Sequence, residues 1–144
     1  MRERAAGMLD NGKGRPGPNG VRLLGRKTVE LMTTNHLDPD GVGAGHAAAG
    51  LGFGLGVAVN IDPSICNGLG GGEGGSLGEW WWGGAAGTDF WVDPAEEVVC
   101  LYFTQLMMAE LTTKTDLRIA VNAALIDPPP NSHGAARPAQ AARM

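Results

Sequence analysis

Apolar and small residues alternate most regularly over residues 52–59, where Phe53, Leu55, Val57 and Val59 fall on one face of an extended chain and Gly or Ala on the other. This predicts a strand over 52–60 with one smooth face. Residues 79–92 place aromatic and β-branched side chains on either side of Gly83, Gly84 and Gly87, which predicts a second strand interrupted by bare backbone. Val98, Val99, Cys100, Leu101, Tyr102 and Phe103 form a continuous apolar run, the pattern of a third strand over 97–105 covered on both faces. Between the second and third, Asp93, Pro94, Ala95 and Glu96 read as a reversing turn.

Helical spacing appears twice. Val29, Met32 and His36 share one face over residues 26–37, and Leu117, Val121, Ala124 and Leu125 form a stripe over 116–126. On the second helix Arg118 and Asn122 fall outside the stripe, and Thr115 or Asp116 stands where a cap belongs. Together with the strands this predicts an α+β fold, an antiparallel sheet with the C-terminal helix packed on one face.

The remaining segments punctuate these elements. Residues 1–9 read as the tail of a helix stopped at Asp10, Asn11 and Gly12, and Pro16 and Pro18 keep 14–20 irregular. Residues 67–76 are nearly all glycine and read as a surface loop, and 128–144 have too few large apolar residues to fold, so a domain over 1–127 is followed by a disordered tail. Three motif matches fail on context. Residues 7–13 fit the start of a phosphate-binding loop, but Gly14 stands where Ser or Thr is needed. Gly70, Gly72 and Gly75 match the dinucleotide fingerprint with no βαβ unit around them. Asp38 and Asp40 lack the downstream ligands of a calcium loop.

Charge is uneven along the chain. Residues 1–27 carry seven Lys/Arg against two acids, whereas 28–110 carry eleven acids and no Lys or Arg, within a formal net charge of −4. An acidic centre does not attract nucleic acid. No stretch reaches the 18 or so apolar residues of a membrane span, and the basic first segment lacks the apolar run of a secretory signal, so a soluble chain is expected, with the cytoplasm favoured. Cys66 and Cys100 are too few for a disulfide framework and too far apart for a C-x-x-C site, and Cys100 fits a small buried hydrophobe. No cofactor or metal is implied.

All four tryptophans fall within residues 79–94. Trp82-Gly83-Gly84-Ala85, followed by Ala86-Gly87-Thr88-Asp89-Phe90-Trp91-Val92-Asp93-Pro94, resembles the third active-site motif and following strand of the serine β-lactamase-related hydrolases: class C β-lactamases, D-alanyl-D-alanine peptidases and β-lactamase-like esterases. Where many members read Lys-Thr-Gly or His-x-Gly, Trp-Gly-Gly is similar to the esterase-like branch. Residues 20–37 are similar to a family segment that usually has Ser-Pro where Gly25-Arg26 stand here, a change that removes an N-cap worth about 1 kcal/mol. The family fold is the serine β-lactamase/transpeptidase-like one, and its enzymes are commonly more than twice this length, so the resemblance implies a C-terminal, incomplete portion of that domain.

The resemblance implies a covalent route in which a Ser-x-x-Lys serine attacks an acyl carbonyl while a Tyr-x-Asn tyrosine helps manage the proton. Neither motif is here. The residues three places after Ser64, Ser76 and Ser132 are Asn67, Glu79 and Ala135, and Tyr102 is followed by Phe103 and Thr104. What the resemblance leaves is a substrate-binding wall of Trp82, Gly83 and Gly84, with the backbone N–H of Ala85 as one oxyanion donor. A chain of this kind is inactive alone, takes a small acyl substrate once completed by an N-terminal part, and is prone to self-association through an exposed sheet edge. The other reading is a non-catalytic binding or structural module derived from the same fold.

Overall fold

The computed structural model describes residues 16, 20–38, 50–65, 75–107 and 112–126. Helix α1 (Arg26–Met32) is followed by strands β1 (Leu51–Phe53), β2 (Ala58–Asn60), β3 (Trp80–Gly83), β4 (Asp89–Asp93) and β5 (Val98–Tyr102), then by helix α2 (Thr112–Ala123). The five strands form one antiparallel sheet in sequence order, each paired with the strand before it.

Two of the three expected strands are hairpins. In residues 52–60 the Gly54 N–H donates to the Val57 carbonyl (2.8 Å) and Gly56 takes a positive φ of 93°, so the alternating run folds back on itself and Leu55 is exposed at the bend. Residues 79–92 likewise bend at 84–88 between β3 and β4. The turn after β4 forms as expected, because Asp93 Oδ1 accepts from the N–H groups of Ala95 (2.9 Å) and Glu96 (3.0 Å).

Register places Phe53, Ala58, Trp81, Trp91 and Cys100 in one row across all five strands. Leu51, Ala58, Trp81 and Trp91 form the core cluster, with Phe53, Cys100, Leu117 and Val121 packed against it, so α2 lies over this face as expected. A tryptophan in such a core removes about 150–250 Å² from water, worth about 4–6 kcal/mol. The outer side of the sheet differs from expectation. β5 comes last in the strand order, pairs only with β4 among the described residues, and is half-buried with Leu101 exposed, rather than covered on both faces.

The helices also depart from their patterns. α1 ends at Met32, because the Thr33 and Thr34 hydroxyls donate to the Val29 (3.0 Å) and Glu30 (2.6 Å) carbonyls and draw the chain out of the helix. His36 therefore leaves the helical face and donates its N–H to the Phe53 carbonyl, 2.9 Å away. Gly25 is the N-cap and makes no side-chain bond, as its sequence position implies. α2 begins at Thr112, not 116, so Thr115 and Asp116 are interior residues and do not cap it. Arg118, expected in solvent, is fully buried. The expected helix over 1–9, the glycine loop through 66–74 and the tail over 128–144 lie outside the described residues.

Candidate functional site

Trp82 and Gly83 close β3, paired across the hairpin with Phe90 and Asp89. Alternation turns Trp81 into the core and leaves Trp82 46% exposed, with its ring meeting Phe53, itself packed against the core, edge-on at 5.0 Å and 83°. Of the tryptophans in β3 and β4, Trp82 is thus the exposed one, while Trp81 and Trp91 belong to the core.

Ala85 sits at the tip of the turn, exposed, rather than on a strand. The Gly84 N–H donates to the Thr88 carbonyl (2.8 Å) and the Gly87 N–H to the Gly84 carbonyl (3.0 Å), with Gly87 in the left-handed region at φ 73°. Inside this loop the Ala85 N–H has no hydrogen-bond acceptor among the described residues, and the residue is exposed.

The motif's glycines let two neighbouring side chains come close to the backbone. A Cβ on Gly83 would stand 2.8 Å from Asp89 Oδ2, and one on Gly84 would stand 2.6 Å from Thr88 Oγ1. Asp89 is held by its ion pair, so a side chain at Gly83 would crowd it, whereas the Thr88 hydroxyl can rotate away from one at Gly84. The same Asp89 oxygen pairs with Lys114 of α2, and both side chains are buried. Burial pushes the Asp89 carboxyl above its ordinary range, against the pull of Lys114 in the other direction. Its second oxygen, Oδ1, is buried with no hydrogen-bond partner among the described residues, which adds to the cost of the charged form.

One helical turn on, Arg118 pairs with Glu79, and its guanidinium carbon lies 5.7 Å from the Trp81 ring centre and 5.1 Å from that of Trp91. Lys114 and Arg118 together neutralise two acids of a sheet that has no cation of its own. The eleven acids without a Lys or Arg in 28–110 are the signal that points to such outside partners. Nothing in the sequence points to Thr104, whose hydroxyl donates to the Ala86 carbonyl at 2.8 Å.

Among the described residues neither serine is paired with a lysine. Ser64 Oγ donates to Asp62 Oδ1 (2.6 Å) in an exposed turn, and the Ser76 N–H donates to Asp93 Oδ2 (3.1 Å). The described lysines are engaged elsewhere, Lys27 with Glu30 at 2.7 Å and Lys114 with Asp89. Tyr102 lies in β5, opposite Asp89. Ser132 lies outside the described residues, as does Cys66. Among the described residues no three His, Cys, Asp or Glu side chains are grouped to hold a metal, and no helix is long and apolar enough to cross a membrane.

No protein-family model matches the chain, and no curated protein sequence does. Solved structures are similar to it. EstCE1, a hydrolase with promiscuous acyltransferase activity, is 25% identical over 78% of the chain with a TM-score of 0.55. A mutant of simvastatin synthase (LovD) from Aspergillus terreus, LovD6, is 20% identical over 85% of the chain with a TM-score of 0.59, and unliganded LovD is 20% identical over 85% with a TM-score of 0.56. The chain spans 27% of the EstCE1 chain and 32% of each of these LovD chains.

Proposed function

We propose, from the premise that this chain has the serine β-lactamase-like fold over part of that fold's length, that it supplies the oxyanion side of a serine acyl hydrolase or acyltransferase. Trp82, Gly83 and Gly84 line the acyl pocket, and the Ala85 N–H donates to the oxyanion. The nucleophile and its base come from a Ser-x-x-Lys and a Tyr-x-Asn carried by a complementary N-terminal part. A small acyl ester is the substrate. The remainder of the sheet joins along β5, whose outer side has no partner strand among the described residues.

The observation that carries this reading is that Ala85 is an exposed residue of a closed turn whose N–H has no acceptor among the described residues. An oxyanion donor has to be unengaged in the resting fold and fixed where charge develops. The hydrogen bonds of the turn use the Gly84 and Gly87 N–H groups and leave those of Ala85 and Ala86 without an acceptor among the described residues, which supports the first condition.

The experiment is to express the chain together with the polypeptide encoded directly upstream of Met1 and to follow hydrolysis of p-nitrophenyl butyrate. Activity is expected from the pair and none from the chain alone. Ala85→Pro deletes the N–H at a turn position that proline fits, and it is expected to lower kcat by about 10²–10³-fold with folding retained. An upstream polypeptide without Ser-x-x-Lys, or an Ala85→Pro pair with full activity, overturns the reading.

The exposure of Trp82 favours a second reading, a non-catalytic module that binds a small acyl ligand on the ring. Quenching of tryptophan fluorescence by butyrate esters, in a chain that gains no activity from any partner, separates the two.

A further inference from the structure

The oxyanion reading leaves open what aims the Ala85 N–H, since a turn with glycine at both ends is flexible unless something outside it holds it. Two side chains from different elements reach this turn. Thr104, part-buried just past the end of β5, donates its hydroxyl to the Ala86 carbonyl at 2.8 Å; the N–H of that same peptide, from Gly87, donates to the Gly84 carbonyl (3.0 Å), in the peptide that carries the Ala85 N–H. From the helix side, Lys114 is 7% exposed and pairs with Asp89 Oδ2, the oxygen that lies 2.8 Å from where a Gly83 Cβ would stand. The carboxylate thereby occupies the space over Gly83, and α2 presses it there. Neither contact is needed to close the turn, which its own two backbone hydrogen bonds already do.

Resting on the oxyanion reading, we propose that Thr104 and the Asp89–Lys114 pair are positioning residues that aim the Ala85 N–H, the hydroxyl hooking the turn from β5 and the ion pair bracing its root from α2. A donor contributes to a transition state only when it is held in place before the charge arrives, because reorienting it during the reaction costs the stabilisation it supplies. A hydroxyl hook and a buried ion pair hold a peptide group in one orientation without lengthening the loop. The turn is tied to both neighbours of the β3–β4 hairpin, so a shift of either β5 or α2 changes where the N–H points.

The test uses the ¹⁵N-labelled chain with Thr104→Val, Thr104→Ser and Lys114→Met. In Thr104→Val the heteronuclear NOE of the Ala85 amide is expected to fall, and hydrogen exchange at the Gly87 N–H to quicken about tenfold, the worth of one hydrogen bond. Thr104→Ser, which keeps the hydroxyl, is expected to restore both. Lys114→Met is expected to move the Gly83 and Gly84 resonances. Should it unfold the chain, the Thr104 pair decides. In the chain assembled with its upstream polypeptide, Thr104→Val is expected to lower kcat about tenfold at unchanged KM, with rescue by Ser. An Ala85 amide as rigid in Thr104→Val as in the parent chain overturns the proposal, as does an active assembly in which Thr104→Val keeps full kcat. A loosened Ala85 amide in a chain that no partner activates leaves the positioning standing and removes the oxyanion reading.

Discussion

The guanidinium carbon of Arg118 lies 5.1 Å from the ring centre of Trp91, with both side chains almost wholly buried. A cation on an aromatic face is worth about 2 kcal/mol when desolvated, and here Trp81 offers a second face at 5.7 Å while Glu79 supplies the counter-charge. The arrangement ties two strands, β3 through Trp81 and β4 through Trp91, to one position on α2.

Arg118→Met therefore leaves the Glu79 carboxylate buried without its partner, at a cost of about 3–5 kcal/mol. The double variant Arg118→Met, Glu79→Leu removes both charges and is expected to recover most of that loss. Urea midpoints followed by tryptophan fluorescence check it. Equal midpoints for the single and double variants mean that the cation's contacts with the rings, not the ion pair, set the cost.

Asp89 gives a pH dependence of definite sign. Its folded pKa is raised by burial above the ordinary 3.8, so over the window above that value the folded state keeps a proton that the unfolded state has released. The contribution of Asp89 to stability is then fully present below about 3.8 and declines as pH rises through the folded pKa. Relative to Asp89→Asn, the parent chain is expected to lose ground as pH is raised from 3.5 towards neutrality, read as the difference in urea midpoints. A difference that grows in the parent's favour shows that the pull of Lys114 outweighs burial.

Cys100 packs against the core from β5, and burial raises its thiol pKa. In a Cys66→Ser background, alkylation by iodoacetamide at pH 8 is expected to run at least tenfold slower for the folded chain than in 8 M urea. Equal rates mean that β5 frays from the sheet in solution.

Neither described serine has a lysine beside it, so the chain alone is expected to form no covalent adduct with a β-lactam or an activated ester. Mass spectrometry showing a stoichiometric acyl group on Ser64, Ser76 or Ser132 places a nucleophile where none is expected.

The sheet, its antiparallel sense and the helix across it were legible because alternation and apolar stripes report which face meets a core. Hairpin bends were not. In residues 52–60 glycine occupies the small positions of the alternation, and a period of two reads the same through Gly54 and Gly56 whether the chain runs straight or turns back. Arg118 was hidden for a different reason. A helical pattern assigns charge to water, and only the fold brings Glu79, distant in sequence, under that position to receive it. The Trp82–Ala85 stretch was legible as a motif, but its brace was not: Thr104 and Lys114 act across strand and helix contacts that no local spacing encodes.

The strand order has a kinetic consequence. Because each strand after β1 pairs with its predecessor, the β1–β2, β3–β4 and β4–β5 ladders each close over a short stretch of chain, and the entropy lost at those closures is small. The β3–β4 and β4–β5 turns can zip in microseconds, before α2 has emerged far enough to dock its cations. The long connection from β2 to β3 is the slowest closure in the sheet. A polypeptide built this way matures from its tryptophan hairpin outward, and the loop bearing Ala85 is among the first parts of it to take shape.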